Sequence, residues 1–432
     1  MKVRTRPRRS SVNEGVEAYG DQTKRNYPTL VSLFAGAGGL DIGLEKAGFH
    51  TVAATDFDQD CVETLRFNQT RRVPIEGSPS RFHLDGARII HADVARLHAG
   101  AFGIPEGDEL DLVAGGPPCQ PFSSAGSQLG LQDPRGTLFQ HFARLVAEIR
   151  PRMFLFENVR GLVTARGPSG HPGEALDLVR RAFEDAGYAT RCALLNSADF
   201  GAAQRRVRLF IIGSRVSALP EFPAPTHSED VGGRLFGDTM PWNALGEFLK
   251  HTQSLDDSEM SRPSPQLARQ LQHVPTGSGL KSPGVKETTR PGGHWGYKQG
   301  TFIADPTKPA RTVTAATTQD WIRLRDGSLR RLTLAECAGL QGFPREWQFA
   351  GTRNNQFRQV GNAVPVAFGD AIGRLLAQVA RRCRRGGCAA ERVESAVLPT
   401  TFSEYVHYTI RDEARNGVDR PRSQRRLQAH GS

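Results

Sequence analysis

Lysine is scarce in this sequence: 8 residues stand against 48 arginines, so guanidinium groups carry the net charge of +11. Arginine-favouring codons of a GC-rich genome account for part of that excess. Long hydrophobic runs are missing too. No apolar stretch approaches the ~20 residues that a membrane span requires, so no membrane partner is expected. The basic start MKVRTRPRRS is not followed by an apolar segment, and a cytoplasmic protein without a secretory signal is the expectation. Cysteine is sparse, with six residues at 61, 119, 192, 337, 383 and 388. Scattered through a long chain of intracellular type, they predict no disulfide framework. Cys383 and Cys388 form a lone C-x4-C with no second pair and no histidine cluster, so no metal site is expected. Phosphate loops are absent as well. Gly36 and Gly38 begin a dinucleotide-type pattern, but its third glycine is replaced by Asp41, and no Gly-Lys-Ser/Thr follows.

What is present is an alternation of short apolar runs and amphipathic stretches. Strand-like segments are TLVSLF (29–34), TVAATD (51–56), RIIHAD (88–93), LDLVAG (110–115), MFLFEN (153–158), RCALLN (191–196) and RLFIIG (208–213). Between them, Leu138, Phe142, Leu145 and Ile149 share one helical face, and Leu176, Val179 and Phe183 share another that stops at Gly187. The pattern predicts an α/β fold with a doubly wound, mostly parallel sheet. Such sheets bind ligands at the carboxyl ends of their strands. Beyond Ser214 closely spaced prolines break every long element, and all four tryptophans lie past residue 240. The expected organisation is a basic tail (1–27), a catalytic and cofactor-binding domain (28–216), and a smaller irregular domain (217–350). A segment returning to the first domain (351–385) and a C-terminal tail (386–432) follow. Charge respects that division. Between Ser261 and Arg331, 12 basic residues face 4 acidic ones. Clustered positive charge is what a polyanion partner requires, which makes nucleic acid the leading candidate.

The chemistry-bearing residues fall at the predicted strand ends. The stretch LFAGAGGLDIGLEKAGF follows the first strand and opens a helix, where glycines let backbone N–H groups approach a ligand. Asp56 ends the second strand, with Phe57 beside it, and Asp93 ends the third. A ribose-holding acid, an aromatic for stacking and a second acid suit an adenosine-bearing cofactor without a pyrophosphate, and S-adenosylmethionine fits. The alternative is an ordinary strand–helix turn with solvated acids. Cys119, in GGPPCQPFSS past the fourth strand, could be a buried filler, a metal ligand, a disulfide half or a nucleophile. Its neighbours form turns rather than core, which favours the nucleophile. Glu157 ends the fifth strand beside Phe154 and Phe156, where an apolar setting would raise its pKa and suit proton donation. A helix cap is the alternative. Arg206 and Arg208 alternate on a strand and point to one face, to steady a base or thiolate, or simply to form a surface ion pair.

In order, the segments FAGAGGLDIG, ATDFD, HADV, GGPPCQPFS, DPRGTLF, FENVRGL, QRRVRLFIIG, RRLTLAECAGLQGFP and QVGNAVP resemble the DNA (cytosine-5)-methyltransferase family over about 29–376. The resemblance implies a Rossmann-like S-adenosylmethionine-dependent methyltransferase domain joined to a target-recognition domain. By it, Cys119 attacks C6 of a flipped-out cytosine. Glu157 holds N3 and the amino group, and Arg206 and Arg208 support the base and the catalytic residues. The cofactor would be held by Phe34, Gly36, Gly38, Gly39, Leu40, Asp56, Phe57, Asp93, Val94, Pro117, Leu138, Asn362, Ala363 and Val364. DNA would be met by Gln120, Ser123, Ser124 and Arg135 on the loop Gln120–Gly136, and by Thr312 and Val313. Arg331, Thr333 and Glu336 would organise the domain junction, and EGSPSRFHLDG (76–86) departs from the pattern as an insertion. The resemblance further implies a bacterial monomer, associated with the nucleoid through double-stranded DNA, beside a restriction endonuclease that acts separately. Activity on tRNA, or a catalytically silent DNA-binding regulator, is the alternative.

Overall fold

The computed structural model describes residues 27–104, 108–118, 138–216, 219–229, 239–251, 260–281, 283–284, 301–388 and 393–416. The first half reads β1 (Thr29–Leu33), α1 (Gly39–Lys46), β2 (His50–Asp56), α2 (Gln59–Thr70), β3 (Pro74–Ile75), β4 (Ser78–Phe82), β5 (Arg88–His91) and β6 (Leu112–Gly115). It continues with α3 (Leu138–Ile149), β7 (Met153–Val159), α4 (Glu174–Asp185), β8 (Ala189–Asn196) and β9 (Val207–Ser214). Every strand-like segment of the first region lies in one seven-stranded sheet of order β5-β2-β1-β6-β7-β9-β8. Its first five strands run parallel, and β9 is antiparallel to both neighbours. The fold is therefore the expected doubly wound, mostly parallel α/β sheet.

Strand alternation sends Val31, Leu33, Phe154 and Phe156 to the face covered by α3 and α4. Phe154 stacks on Phe183 of α4 at 4.1 Å between centroids, and Phe142 of α3 meets Phe156 edge-on at 5.4 Å. Leu30, Leu112, Met153 and Leu155 go to the other face, packed under α1 and α9 (Val366–Arg384). A Cβ on Gly369 would come within 3.0 Å of Gly43 Cα, so glycine is what lets the α1 and α9 backbones touch. The run Arg353–Arg384 is long and apolar enough to cross a membrane by composition, yet 61% of its apolar window is buried inside the protein. It is a core element.

The second region is built of short pieces: β10 (His227–Ser228), β11 (Met240–Pro241), α5 (Leu245–Lys250), α6 (Pro265–Leu271), β12 (Ser278–Gly279), β13 (Phe302–Ile303), β14 (Trp321–Arg323) and β15 (Leu329–Arg331). β12 to β15 form a four-stranded sheet over a small core of Leu271, Val274, Ile303, Trp321 and Leu329. Then come α7 (Leu334–Gln341), α8 (Arg353–Asn362) and α9. A capping box of Thr333 and Glu336 starts α7. Glu336 pairs with Arg330, by two bonds of 2.7 Å, and not with Arg331. Arg331 instead covers the Trp321 ring at 4.1 Å.

Two expectations need correction, and a third gains a structure. Cys383 and Cys388 form a disulfide, because Gly386 in the left-handed region turns the chain after α9 and brings the two Cα atoms to 4.7 Å. Within the expected tail, 393–416 folds back on the first region. Ala396 N–H donates to Thr190 O on the outer strand β8 (2.8 Å), and Phe402 of α10 (Thr400–Asn416) is buried in the core at 2% exposure. The segment covers an open strand edge that would otherwise offer unpaired backbone groups. The insertion 76–86 is part of the architecture as well: β3 and β4 form a hairpin whose following His83 is buried, 2.8 Å from Glu45 of α1.

Candidate active site

The glycine stretch after β1 is bent by backbone in the left-handed region at Phe34, Gly36 and Gly38. Gly36 N–H donates to Asp56 Oδ2 at 2.8 Å, and Asp58 N–H to the other carboxylate oxygen at the same distance. Asp56 thus fixes the loop, and burial pushes its pKa upward. A Cβ on Gly36 would meet nothing within 4 Å, so this loop faces open space. The Phe57 ring next to it is 73% exposed. Asp93 caps the turn Val94–Arg96 by accepting Ala95 N–H. An open glycine cradle, an exposed aromatic and two half-buried acids on neighbouring strand ends fit an adenosine-bearing ligand.

Several residues expected at the cofactor also pack in the core. Val94 and Leu40 are buried among core side chains. The Cβ of any residue replacing Gly39 would collide with Val364 O, so Gly39 is needed for α1 to meet the segment after α8. Ala363 is buried and Val364 half-buried in that segment, while Asn362 is exposed. Leu138 opens α3 and packs at the edge of the core.

At the end of β6, a Cβ on Gly116 would lie 2.5 Å from Glu157 Oε2, so only glycine admits the carboxylate there. Pro117 is buried, and its carbonyl accepts Asn158 Nδ2 at 3.3 Å. Asn158 thereby ties β7 to the turn that leads to Cys119. Cys119 itself lies outside the described residues, as do Gln120, Ser123, Ser124 and Arg135.

Glu157 is 8% exposed. Alternation puts it on the face of Leu155, away from Phe154 and Phe156, so its apolar neighbours are not the two phenylalanines expected from sequence. Arg208 Nε lies 3.0 Å from Glu157 Oε1. Burial pushes the Glu157 carboxyl upward, and the Arg208 and Arg206 charges oppose without reversing it. Arg206, 3% exposed, points elsewhere than its partner. It donates to Val313 O (3.0 Å) and to Gly361 O on α8 (2.9 Å), joining the second region to the first. Thr312 Oγ1 donates to Arg205 O at 2.8 Å, and Val313 is buried at the same seam. The sequence reading missed Gln204 and Gln341, two buried amides in that seam. The only signal was their position, inside QRRVRL and GLQGF.

The family model for C-5 cytosine-specific DNA methylase matches residues 29–378. The chain is 31% identical over 348 residues to a Type II methyltransferase, M.NgoFVII, of Neisseria gonorrhoeae, covering 79% of this chain and 84% of that protein. It is also 31% identical over 363 residues to M.FnuDI of Fusobacterium nucleatum, covering 80% and 93%. Among solved structures, the S. pombe Dnmt2 methyltransferase shares the fold with a TM-score of 0.55 and 18% identity, over 82% of this chain and 99% of that one. A chain described as a DNA modification methyltransferase encoded within an E. coli prophage does so with a TM-score of 0.58 and 21% identity, over 81% and 99%. Open glycine loop, buried glutamate–arginine pair and family match converge: this chain belongs to the C-5 cytosine-specific DNA methylase family and is a DNA cytosine-5 methyltransferase.

Proposed function

We propose that the protein methylates C5 of a cytosine within a specific double-stranded DNA sequence, as the modification enzyme of a restriction–modification system. The names of its relatives, Type II methyltransferases at 31% identity, support the second half of that reading. One observation carries the first half. A glutamate is buried with a raised pKa against Gly116, at the turn that leads into Cys119.

Carbon 5 of cytosine is a weak nucleophile until C6 carries an added group. Cys119 supplies that group: its thiolate forms a bond to C6, and electron density moves to C5 and N3. Glu157, whose pKa burial raises, donates a proton at N3 and accepts from the exocyclic amino group, so negative charge does not build up on the ring. Arg208 fixes the Glu157 carboxyl at 3.0 Å and limits its rise in pKa. Loss of the C5 proton to water, departure of Cys119 Sγ as thiolate and return of the N3 proton to Glu157 restore the neutral aromatic ring. Such chemistry needs the base out of the stack. S-adenosylmethionine, when bound, supplies an electrophilic methyl group. Gly36, Asp56, Phe57 and Asp93 would hold it.

Incubation with labelled S-adenosylmethionine and either duplex DNA or tRNA, beside Cys119→Ser, tests the proposal. Label enters DNA only with the wild-type protein. Transfer to tRNA alone overturns it in favour of an RNA enzyme, and DNA binding without transfer favours a silent regulator.

A further inference from the structure

Buried side-chain amides persist where both oxygen and nitrogen find partners. Gln204 and Gln341 are 0% and 1% exposed, and they bond to each other. Gln204 Oε1 accepts Val313 N–H at 2.7 Å, and its Nε2 donates to Gln341 Oε1 at 2.9 Å and to Leu340 O at 3.3 Å. Gln341 Nε2 in turn donates to Val360 O at 2.6 Å and Ala363 O at 3.2 Å. Neither amide is free to turn over. A backbone N–H at one end can only donate, and backbone carbonyls at the other can only accept. One orientation therefore satisfies the whole chain of bonds, and inverting either amide sets donor against donor. Arg206 runs beside it as a second strut, from Val313 O to Gly361 O.

The two ends of this relay lie at different places. Val313 adjoins Thr312 and the exposed stretch Ala315–Thr318, whose start is pressed against Gly361. Ala363 adjoins Val364, whose carbonyl is packed on Gly39 of the glycine loop. Ordering Val313 orients Gln204, which orients Gln341, which fixes the end of α8 against that loop. We infer that Gln204 and Gln341 are positioning residues that couple nucleic-acid binding at the 312–318 segment to cofactor binding at the glycine loop. Neither amide touches the reacting atoms. The inference rests on the methyltransferase reading above. Coupling of this kind is reciprocal: each ligand tightens the other by one common factor.

The test uses the full-length protein, a duplex that it methylates, and S-adenosylhomocysteine as an unreactive cofactor probe. DNA affinity is measured with and without the probe, and probe affinity with and without DNA. In the wild type each tightens the other about fivefold or more, as typical couplings do. Gln204→Glu, ionised at high pH, keeps an acceptor for Val313 N–H but cannot donate to Gln341, and the factor measured there falls below about two. Gln341→Leu does the same, and the double variant falls no further, because the relay is already cut. Gln204→Met, similar in size and uncharged, replaces Gln204→Glu should the buried charge prevent folding. Tyr188→Phe removes a buried bond of 2.7 Å to Pro151 O far from the relay; it lowers Tm but leaves the coupling factor intact. A wild-type factor of one, or a factor unchanged in the relay variants while Tm falls as in Tyr188→Phe, overturns the inference alone. No methyl transfer to any duplex by the wild type overturns the reading and the inference together.

Discussion

The carboxyl edge of the large sheet and the seam around Val313 solve the same problem, holding side chains for chemistry, by opposite means. At the sheet edge, precision comes from a deep apolar core. Phe142, Phe154, Phe156 and Phe183 lock one face, and glycines at 43, 116 and 369 allow contacts that any Cβ would prevent. At the seam, Val313 packs with Ala203, Ala310, Leu340, Val360 and Ala363 between short strands of two or three residues. Directed bonds add to that packing: Gln204, Arg206 and Gln341 reach across to backbone groups of Val313, Val360, Gly361 and Ala363. A core tolerates no added volume, whereas a seam tolerates no lost donor. The first suits a fixed reaction, the second a surface whose sequence preference varies while its mounting stays.

If that contrast holds, the sheet edge breaks by addition or by change of charge. Cys119→Ser is expected to lower methyl transfer by about 10⁴-fold while DNA binding persists, since covalent catalysis has no substitute there; filter binding beside label transfer separates the two. Gly116→Ala adds one methyl group beside Glu157 Oε2 and should cost about a hundredfold in kcat with a small change in Tm. Equal loss of kcat and of folded protein would refute the account of that glycine.

Asp41, on the first turn of α1, is 1% exposed beside Ser32, Glu45 and Asp56. Burial pushes its pKa up to about 7. Its folded pKa exceeds the unfolded value of 3.8, so the folded state holds a proton that the unfolded chain releases. Stability is therefore lost as pH rises from about 4 to about 7, by up to ~4 kcal/mol, and levels off above that. Asp41→Asn should flatten this part of the curve of unfolding free energy against pH and raise stability at pH 8. A slope that survives the substitution places the titration elsewhere. The smallest expected effect is at the returning C-terminal segment. Phe402→Ala should cost about 3 kcal/mol in urea unfolding, with kcat changed less than about twofold, because it empties a core site on the sheet face opposite Glu157.

The same contrast explains what could be read from sequence. Period-two and helical patterns marked every strand of the large sheet, together with α3 and α4, because burial dictates residue type there. The placement of Glu157, Asp56 and the glycine loop at strand ends was legible because the strands themselves were. The seam was not: a glutamine satisfying backbone groups far along the chain leaves no periodic trace. The burial of Val94, Leu40 and Gly39 was not legible, because motif position does not separate a side chain facing outward from one packing inward. The return of 393–416 was hidden by its polar composition, since Phe402 alone among its residues of described burial is fully buried. The Cys383–Cys388 pairing depended on a turn at Gly386 that spacing alone does not encode.

The most direct test of the central claim is nucleoside analysis of duplex DNA treated with the protein and S-adenosylmethionine. The account predicts 5-methylcytosine, confined to one sequence context and absent with Cys119→Ser. Methylation at an exocyclic amino group, or 5-methylcytosine formed equally well by Cys119→Ser, would contradict it.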